Sequence, residues 1–596
     1  MMATAVTLLR TLAVITLSIA LYACGGGGGG SGGDTPAAIP PVTDGGGSGA
    51  DGGDDNSGGN SDGGDGDSDP PADRSIFDAS RFASRTTFGL DLTDLEELRA
   101  QGEEAWLEQQ FALPVTSHDA VVADLLQRQA TGEFDQAIER QGADDFTPVF
   151  GRMAWWHNTV TAPDQLRQRV AYALSQIFVI SDEVNNLFVP AYGTSNFYDM
   201  LLDNAFGNFR DLLRDVTLHP SMGVYLSHMN NARSDPDAGT FPDENYAREV
   251  MQLFSIGLFE LNSDGSEMMD ADGQPVPTYD NDDIGEFAKI FTGLSWGGSN
   301  RSFGGNRFFS YQDPMQMFDD FHEPGEKRLL NGTVVPAGQS GMEDIEAAVD
   351  NLFNHPNVPP FIGKQLIQRL VTSNPSPAYV ERVSSAFIDN GVGVRGDMQT
   401  VLRAILLDSE ATAEPDTASS FGKLREPVLR YTAMLRQLGV SSPDGFYANL
   451  GYFVQASVQQ HPLSSPSVFN FYLPSHMPIG PIGEQNLVAP EFQITNTNSV
   501  VQISNLMQFA VVGDFVNDIS DAPFFEATLT FSDYTPLADD PEALLERLDT
   551  VFTYGTLSDE TRVTIRDLIA LIDDLDVRVR VAAYLLLISP DYAVEI

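Results

Sequence analysis

Pro242-Asp243-Glu244-Asn245-Tyr246-Ala247-Arg248-Glu249 runs directly into Val250-Met251-Gln252-Leu253-Phe254-Ser255-Ile256-Gly257. The stretch reads as a helix: Asp243 can cap it, Pro242 stands outside it and Gly257 lies near its end. Glu244 and Arg248 are four residues apart, as are Asn245 and Glu249, so two adjacent stripes present polar groups. Tyr246, Val250, Leu253 and Phe254 face a core. Three readings of the polar face stay open. It is a structural network in which Arg248 bridges carboxylates and loop carbonyls. It is a hard-cation site, calcium or magnesium, built from Glu244, Asn245 and Glu249. Or a carboxylate serves as general acid or base, with its affinity for protons tuned by burial and Arg248.

Apolar residues recur at spacings of three and four across 121–129, 164–180, 196–217, 282–292, 342–353, 360–371, 378–387 and 398–407. The pattern returns at 425–438, 495–511, 544–552, 563–572 and 577–588. Only 524–531 alternates convincingly. The expectation is a mainly α protein, a large irregular multi-helical body with long loops and minor β. No fixed period supports a solenoid. The body spans 76–596, with a subdivision near 410–420. The longest loops, 261–280 and 295–331, flank the most distinctive helices and read as the roof of a site.

Upstream, 3–22 is apolar apart from Arg10 and a few Thr and Ser, and ends in Leu21-Tyr22-Ala23-Cys24. This resembles a bacterial lipobox, which implies a signal peptide over 1–23 and lipid attachment at Cys24. Several acyl chains on one residue anchor durably, because each buried methylene contributes about 0.8 kcal/mol. Gly25 in place of Asp points to the bacterial outer membrane, with the body periplasmic or surface-exposed. Residues 24–75 are Gly, Ser, Pro and Asp with almost nothing to bury, and read as a flexible, self-repelling tether.

The chain carries 84 acidic residues against 33 Lys and Arg, a formal charge of −51. That sign repels nucleic acid and anionic headgroups, so nucleic acid is not an expected partner and the membrane is reached through the lipid. A single cysteine excludes a disulfide framework.

Motifs for known chemistry are few. No His-x-x-x-His pair exists, so a zinc site would need ligands from distant segments. His322-Glu323 sits before a Pro-Gly turn and reads as a proton-transfer pair, a calcium-bearing turn or a plain loop His bonded to a neighbouring carboxylate. Asn262-Ser263-Asp264-Gly265-Ser266 and Asp270-Ala271-Asp272-Gly273 offer Asp264, Asp270 and Asp272 as weak calcium ligands, although plain Asp-Gly turns explain them equally. Gly338-Gln339-Ser340-Gly341 is one residue short of a nucleophile elbow. Dinucleotide, phosphate-loop and haem motifs are absent, so no cofactor is called for beyond calcium or magnesium. Trp155, Trp156, Tyr192, Tyr198, Trp296, Phe303, Phe308, Phe309 and Tyr311 crowd two zones beside the Pro242–Gly257 stretch. Such rings can floor a sugar or peptide site or fill a core.

Six ordered blocks carry a family resemblance: Arg81-Phe82-Ala83-Ser84-Arg85-Thr86-Thr87-Phe88-Gly89, the run from Leu166 to Phe178, and the run from Asp243 to Gly257. Phe287-Ala288-Lys289-Ile290-Phe291-Thr292-Gly293-Leu294, Phe321-His322-Glu323-Pro324-Gly325-Glu326-Lys327 and His355-Pro356 with Phe361-Ile362-Gly363-Lys364-Gln365-Leu366 follow. The chain resembles the bacterial family called domain of unknown function 1800 (DUF1800) over nearly all of 76–596. The resemblance implies an exported, mostly helical protein, often encoded beside secreted partners of a phosphatase- or sulfatase-like superfamily, and brings no settled activity. Relatives carry His where this chain has Phe254, and a Pro-Asn-Val-Phe-Gly-Trp element where it has Pro466-Ser467-Val468-Phe469-Asn470-Phe471-Tyr472.

Together these readings lead to an envelope or cell-surface lipoprotein that binds, scaffolds or assembles with another exported protein or polymer. The alternative is a hydrolase or lyase acting on polysaccharide or peptidoglycan. It would use Glu244 or Glu249 as acid-base group, Arg248 to bind oxygen and His322 to assist.

Overall fold

The computed structural model describes residues 75–596 except 136–137, 140–144, 300, 306–309, 416–419, 444, 446, 448–453, 455–457 and 514–526. The signal, Cys24 and the tether up to 74 lie outside the described residues, as do Phe308, Phe309 and the first part of 524–531.

Helices dominate and the strands are two-residue pairs, so the protein is mainly α with minor β. Asp73–Ile596 forms one compact unit. One hydrophobic core runs from Ala79 to Tyr592, and residues on both sides of 410–420, such as Leu406 and Val428, contribute to it. Two long-range pairings close the last third on itself: Lys423–Leu424 pairs antiparallel with Val594–Glu595, and Val440–Ser441 with Thr528–Leu529. Among the described residues no helix is long and apolar enough to cross a membrane.

Two helices sit at the centre. Gln165–Ser175 is buried at every position, and Val358–Leu370 at all but Phe361 and Lys364. A helix buried all round belongs to the interior of a large body. Its polar residues must then find partners inside.

The segments read as structureless loops are short antiparallel ribbons. Bridges Phe259↔Pro277, Leu261↔Glu267 and Met269↔Pro275 fold 258–277 into an arm. Leu294–Ser295 pairs with Gln316–Met317, and Lys327–Arg328 with Val334–Val335. Backbone bonding is satisfied locally in pieces too short for a hydrophobic period to register.

Candidate functional site

The signature helix spans Asn245–Gln252, shorter than its apolar pattern. Asp243 caps from one position further out than expected: its Oδ1 accepts the Asn245 N–H at 2.8 Å, while Glu244 occupies the cap position without bonding through its side chain. At the other end the Phe254 and Ile256 N–H groups bond five residues back. Gly257 ends the turn at φ +76°, where a Cβ would also lie 2.8 Å from the Phe361 ring, so glycine is required twice over. Tyr246, Val250 and Phe254 are buried as read. Phe254 stands 5.4 Å from Phe178 between ring centroids and is plain core.

The polar face divides. Glu244 and Arg248 form an exposed pair at 3.5 Å, which holds little energy in water. Glu249 is buried, and among the described residues its Oε2 has no hydrogen-bond partner. Burial pushes its carboxyl above the usual range, with Arg248 opposing. Neither a dry Arg248 network nor a three-oxygen cation site is assembled here. Two cavities, of about 160 and 120 Å³, are lined by Arg85, Glu410 and Ile596 and by Asp91, Arg436 and Tyr534 among others, and neither lining includes Glu244, Arg248 or Glu249.

His322 is placed elsewhere, buried against Asp344 rather than paired with Glu323. Its Nε2 lies 2.9 Å from Asp344 Oδ2 and 3.2 Å from Lys327 Nζ, and its Nδ1 bonds the Thr292 carbonyl at 2.9 Å. Lys327 also contacts Asp344 Oδ2 directly. Glu323 instead accepts the Ser234 N–H through Oε2 at 3.2 Å. Burial acts to raise the Asp344 carboxyl, but hydrogen bonds from His322 and Lys327 outweigh it and hold the group below its ordinary value. Ser340 of the failed elbow caps the helix Gly341–Phe353 in a capping box with Glu343.

The calcium candidates are turn formers. Asp264 Oδ1 accepts both the N–H and hydroxyl of Ser266, and Asp270 Oδ1 accepts the N–H groups of Asp272 and Gln274. Among the described residues no group of three or more His, Cys, Asp or Glu is placed to hold a metal ion. Trp155, Trp156 and Tyr198 are core, not a sugar floor, and Trp156 donates its indole N–H to His461 Nε2 at 2.9 Å. Trp296 packs edge-on against Tyr311.

The densest polar centre was not singled out from sequence. Glu426, fully buried, accepts through Oε2 from Tyr172 (2.8 Å), Gln176 (2.7 Å) and Gln460 (2.6 Å). Beside it Arg169 donates to the Arg369 carbonyl at 2.8 Å, and Arg369 donates to the Gln176 carbonyl at 2.9 Å. Lys423 donates to the carbonyls of Gln368 and Arg369 and pairs with Glu491 at 3.1 Å. Burial lowers the Arg369 guanidinium and raises Glu491, which Lys423 opposes and Glu426 reinforces. The hydroxyls of Tyr172 and Tyr472 are pushed far up by burial, then by Glu426. Arg169 Nε and Nη1, Glu426 Oε1 and Glu491 Oε2 retain no protein partner. Charged groups this deep are costly to leave alone and tie their elements tightly together.

This hub anchors an irregular segment, 465–494. Besides Glu491, Asn374 exchanges two hydrogen bonds with Val488, and Gln368 donates to the Pro474 carbonyl at 3.2 Å. Tyr472 enters the hub, while Asn470 takes φ +63°, a conformation that Asn tolerates better than most residues. Between the pins the segment holds Phe469, Leu473, Met477 and Ile479 in solvent, Ile479 completely. The sequence signal that marked this segment was the aromatic block from Pro466 to Tyr472 itself.

No curated protein and no solved structure matches the chain. The family described as protein of unknown function, DUF1800, matches residues 81–594, which takes in every block, the hub and the pinned segment. The chain is a member of the DUF1800 family.

Proposed function

We propose that this protein is an envelope lipoprotein, anchored to the outer membrane through Cys24, that binds and helps assemble another exported protein. The 465–494 segment is its docking element. The observation carrying this reading is the pairing of a rigid base with an apolar tip: a buried Lys423–Glu491 pair holds the segment, while Phe469, Leu473, Met477 and Ile479 face solvent. Ordered loops that expose several large apolar side chains are uncommon unless they meet a partner. An already ordered segment also loses little entropy on binding.

A second reading has one specific support. Glu249 is buried, has an unsatisfied oxygen and holds its proton more tightly than an ordinary carboxyl. These are properties of a general acid, as a hydrolase or lyase acting on polysaccharide or peptidoglycan would use.

The test uses the full chain in its native host, with Leu473→Ser, Met477→Ser and Ile479→Ser combined and Glu249→Gln made separately. The binding reading expects the triple variant to keep its Tm and lose its co-purifying envelope protein, with Glu249→Gln unchanged. Retained partner with the triple variant refutes it. Polymer turnover lost in Glu249→Gln would establish the second reading instead.

A further inference from the structure

We propose that Lys327 and Asp344 join through an intramolecular amide bond, formed inside the folded chain with His322 moving the protons. The two side chains are 1% and 0% exposed and touch through Lys327 Nζ and Asp344 Oδ2. Contact alone describes an ion pair, and Lys423–Glu491 is equally buried. What distinguishes Lys327–Asp344 is the equipment around it.

His322 Nε2 stands 3.2 Å from the lysine nitrogen and 2.9 Å from the aspartate oxygen that would leave, so one ring nitrogen reaches both ends of the proton transfer. Its Nδ1 bonds the Thr292 carbonyl at 2.9 Å, which fixes the ring with Nε2 turned toward both partners. Gln339 Nε2 donates to Asp344 Oδ1 at 3.0 Å, placing a donor on the oxygen that stays. Lys327 is further aimed by donating to the Glu323 carbonyl.

Two glycines leave room for the ring: a Cβ at Gly293 would lie 3.1 Å from His322 Cβ, and one at Gly341 2.9 Å from His322 Cγ. Nucleophile, acceptor, proton carrier and oxyanion donor are thus within hydrogen-bond reach in a site closed to solvent.

The chemistry balances without a co-reactant. In the reactive form a proton has passed from the Lys327 ammonium to the Asp344 carboxylate, giving an amine and a carboxylic acid; the bonds that hold Asp344 ionised make this the minor form, and the dry surroundings make it less costly than it would be in water. The amine nitrogen attacks Asp344 Cγ, and Oδ1 takes the negative charge under the Gln339 N–H. His322 Nε2 removes a proton from the nitrogen and delivers one to Oδ2, which leaves as water when the Cγ–Oδ2 bond breaks. Ammonium plus carboxylate becomes amide plus water, with one C–N bond made, one C–O bond broken and no redox change.

Holding the pair in contact replaces a bimolecular condensation, which is where effective molarities of about 10⁵–10⁸ M arise. The amide fastens the ribbon Lys327–Arg328 and Val334–Val335 to the helix Gly341–Phe353, in a chain whose single cysteine cannot form an internal disulfide.

Peptide mapping by mass spectrometry of the full-length purified chain tests this. The expected product is a branched peptide joining residues 327 and 344, lighter than its two parts by one water, with no tryptic cleavage after Lys327. Linear peptides cleaved after Lys327 would overturn the proposal, leaving an ion pair. His322→Gln, read by the same map on soluble protein, is expected to lose the branched peptide. If it carried the branch at the wild-type level, the role given to His322 would be overturned. Because the wild-type map is decisive alone, a variant that fails to fold does not shelter the idea.

Discussion

Replacing Glu491 with Leu removes the carboxylate 3.1 Å from Lys423 and leaves a buried ammonium facing apolar surface. Breaking one side of a buried pair costs about 3–5 kcal/mol. Lys423 keeps the carbonyls of Gln368 at 2.9 Å and Arg369 at 3.0 Å, so the lower end, about 3 kcal/mol, applies. Removing both charges in Lys423→Met with Glu491→Leu should recover most of that, to within about 1 kcal/mol of wild type, since an apolar pair of similar volume is often neutral. The four proteins form a double-mutant cycle, read from urea unfolding midpoints and slopes, with an expected coupling of about 2 kcal/mol or more. Hydrogen exchange over 473–489 should quicken in Glu491→Leu, because the segment loses a pin near its C-terminal end. Single variants that each cost under about 0.5 kcal/mol, with no coupling, would refute the view that this pair anchors the segment.

Acid should weaken the fold steeply. Burial depresses His118, His228, His355 and His461 to about 4 and His219 to about 3, from 6.5. A depressed group contributes stability that is whole above 6.5 and lost as pH falls toward its folded value, at up to about 1.4 kcal/mol per pH unit for each group. Asp199, raised by burial to about 6, works in the opposite sense, as do Asp94, Asp203, Glu249, Glu260 and Glu491, which burial also raises, and these offset part of the loss. Tm should therefore fall between about pH 7 and pH 5, and an unchanged Tm would contradict the burial of these rings. Gly341→Ala pushes a methyl within 2.9 Å of His322 Cγ and should cost about 1–3 kcal/mol in unfolding free energy, whereas Gly285→Ala, in open space on the helix Asn281–Ile290, should cost nothing. Chelator treatment should leave Tm unchanged, because Asp264 and Asp270 each turn their Oδ1 to bonds within their own turns; a fall in Tm would support the calcium reading.

Much of the helical body is legible in the sequence because amphipathic spacing reports which face is buried. The C-terminal reading of 563–572 and 577–588 meets Asp559–Ile569 and Leu575–Leu587 to within a few residues. The overrun of the signature helix past Gln252 has a physical source: Leu253 and Phe254 keep apolar spacing while the backbone has already left the helical ladder for wider bonds. The arm at 258–277 carries its strands as isolated bridges, too short for alternation to show.

The hub stayed hidden for a different reason. Arg169, Arg369, Lys423, Glu426 and Glu491 look in sequence like solvent-facing charges, and only tertiary packing brings them together from segments up to 322 positions apart in numbering, from 169 to 491. His322 was marked for chemistry, but its partners Lys327 and Asp344 flank a ribbon and a helix start, a juxtaposition that spacing along the chain does not encode.

Docking through the 465–494 segment is best measured by site-specific photo-crosslinking in living cells. A photoreactive residue replacing Ile479 is compared with one replacing Val392, an exposed apolar residue outside the 465–494 segment. The account expects Ile479 to give a discrete adduct with an exported protein, lost when Leu473 and Met477 are changed to Ser, and Val392 to give none. Adducts of equal yield at both sites, or none at Ile479, would contradict it.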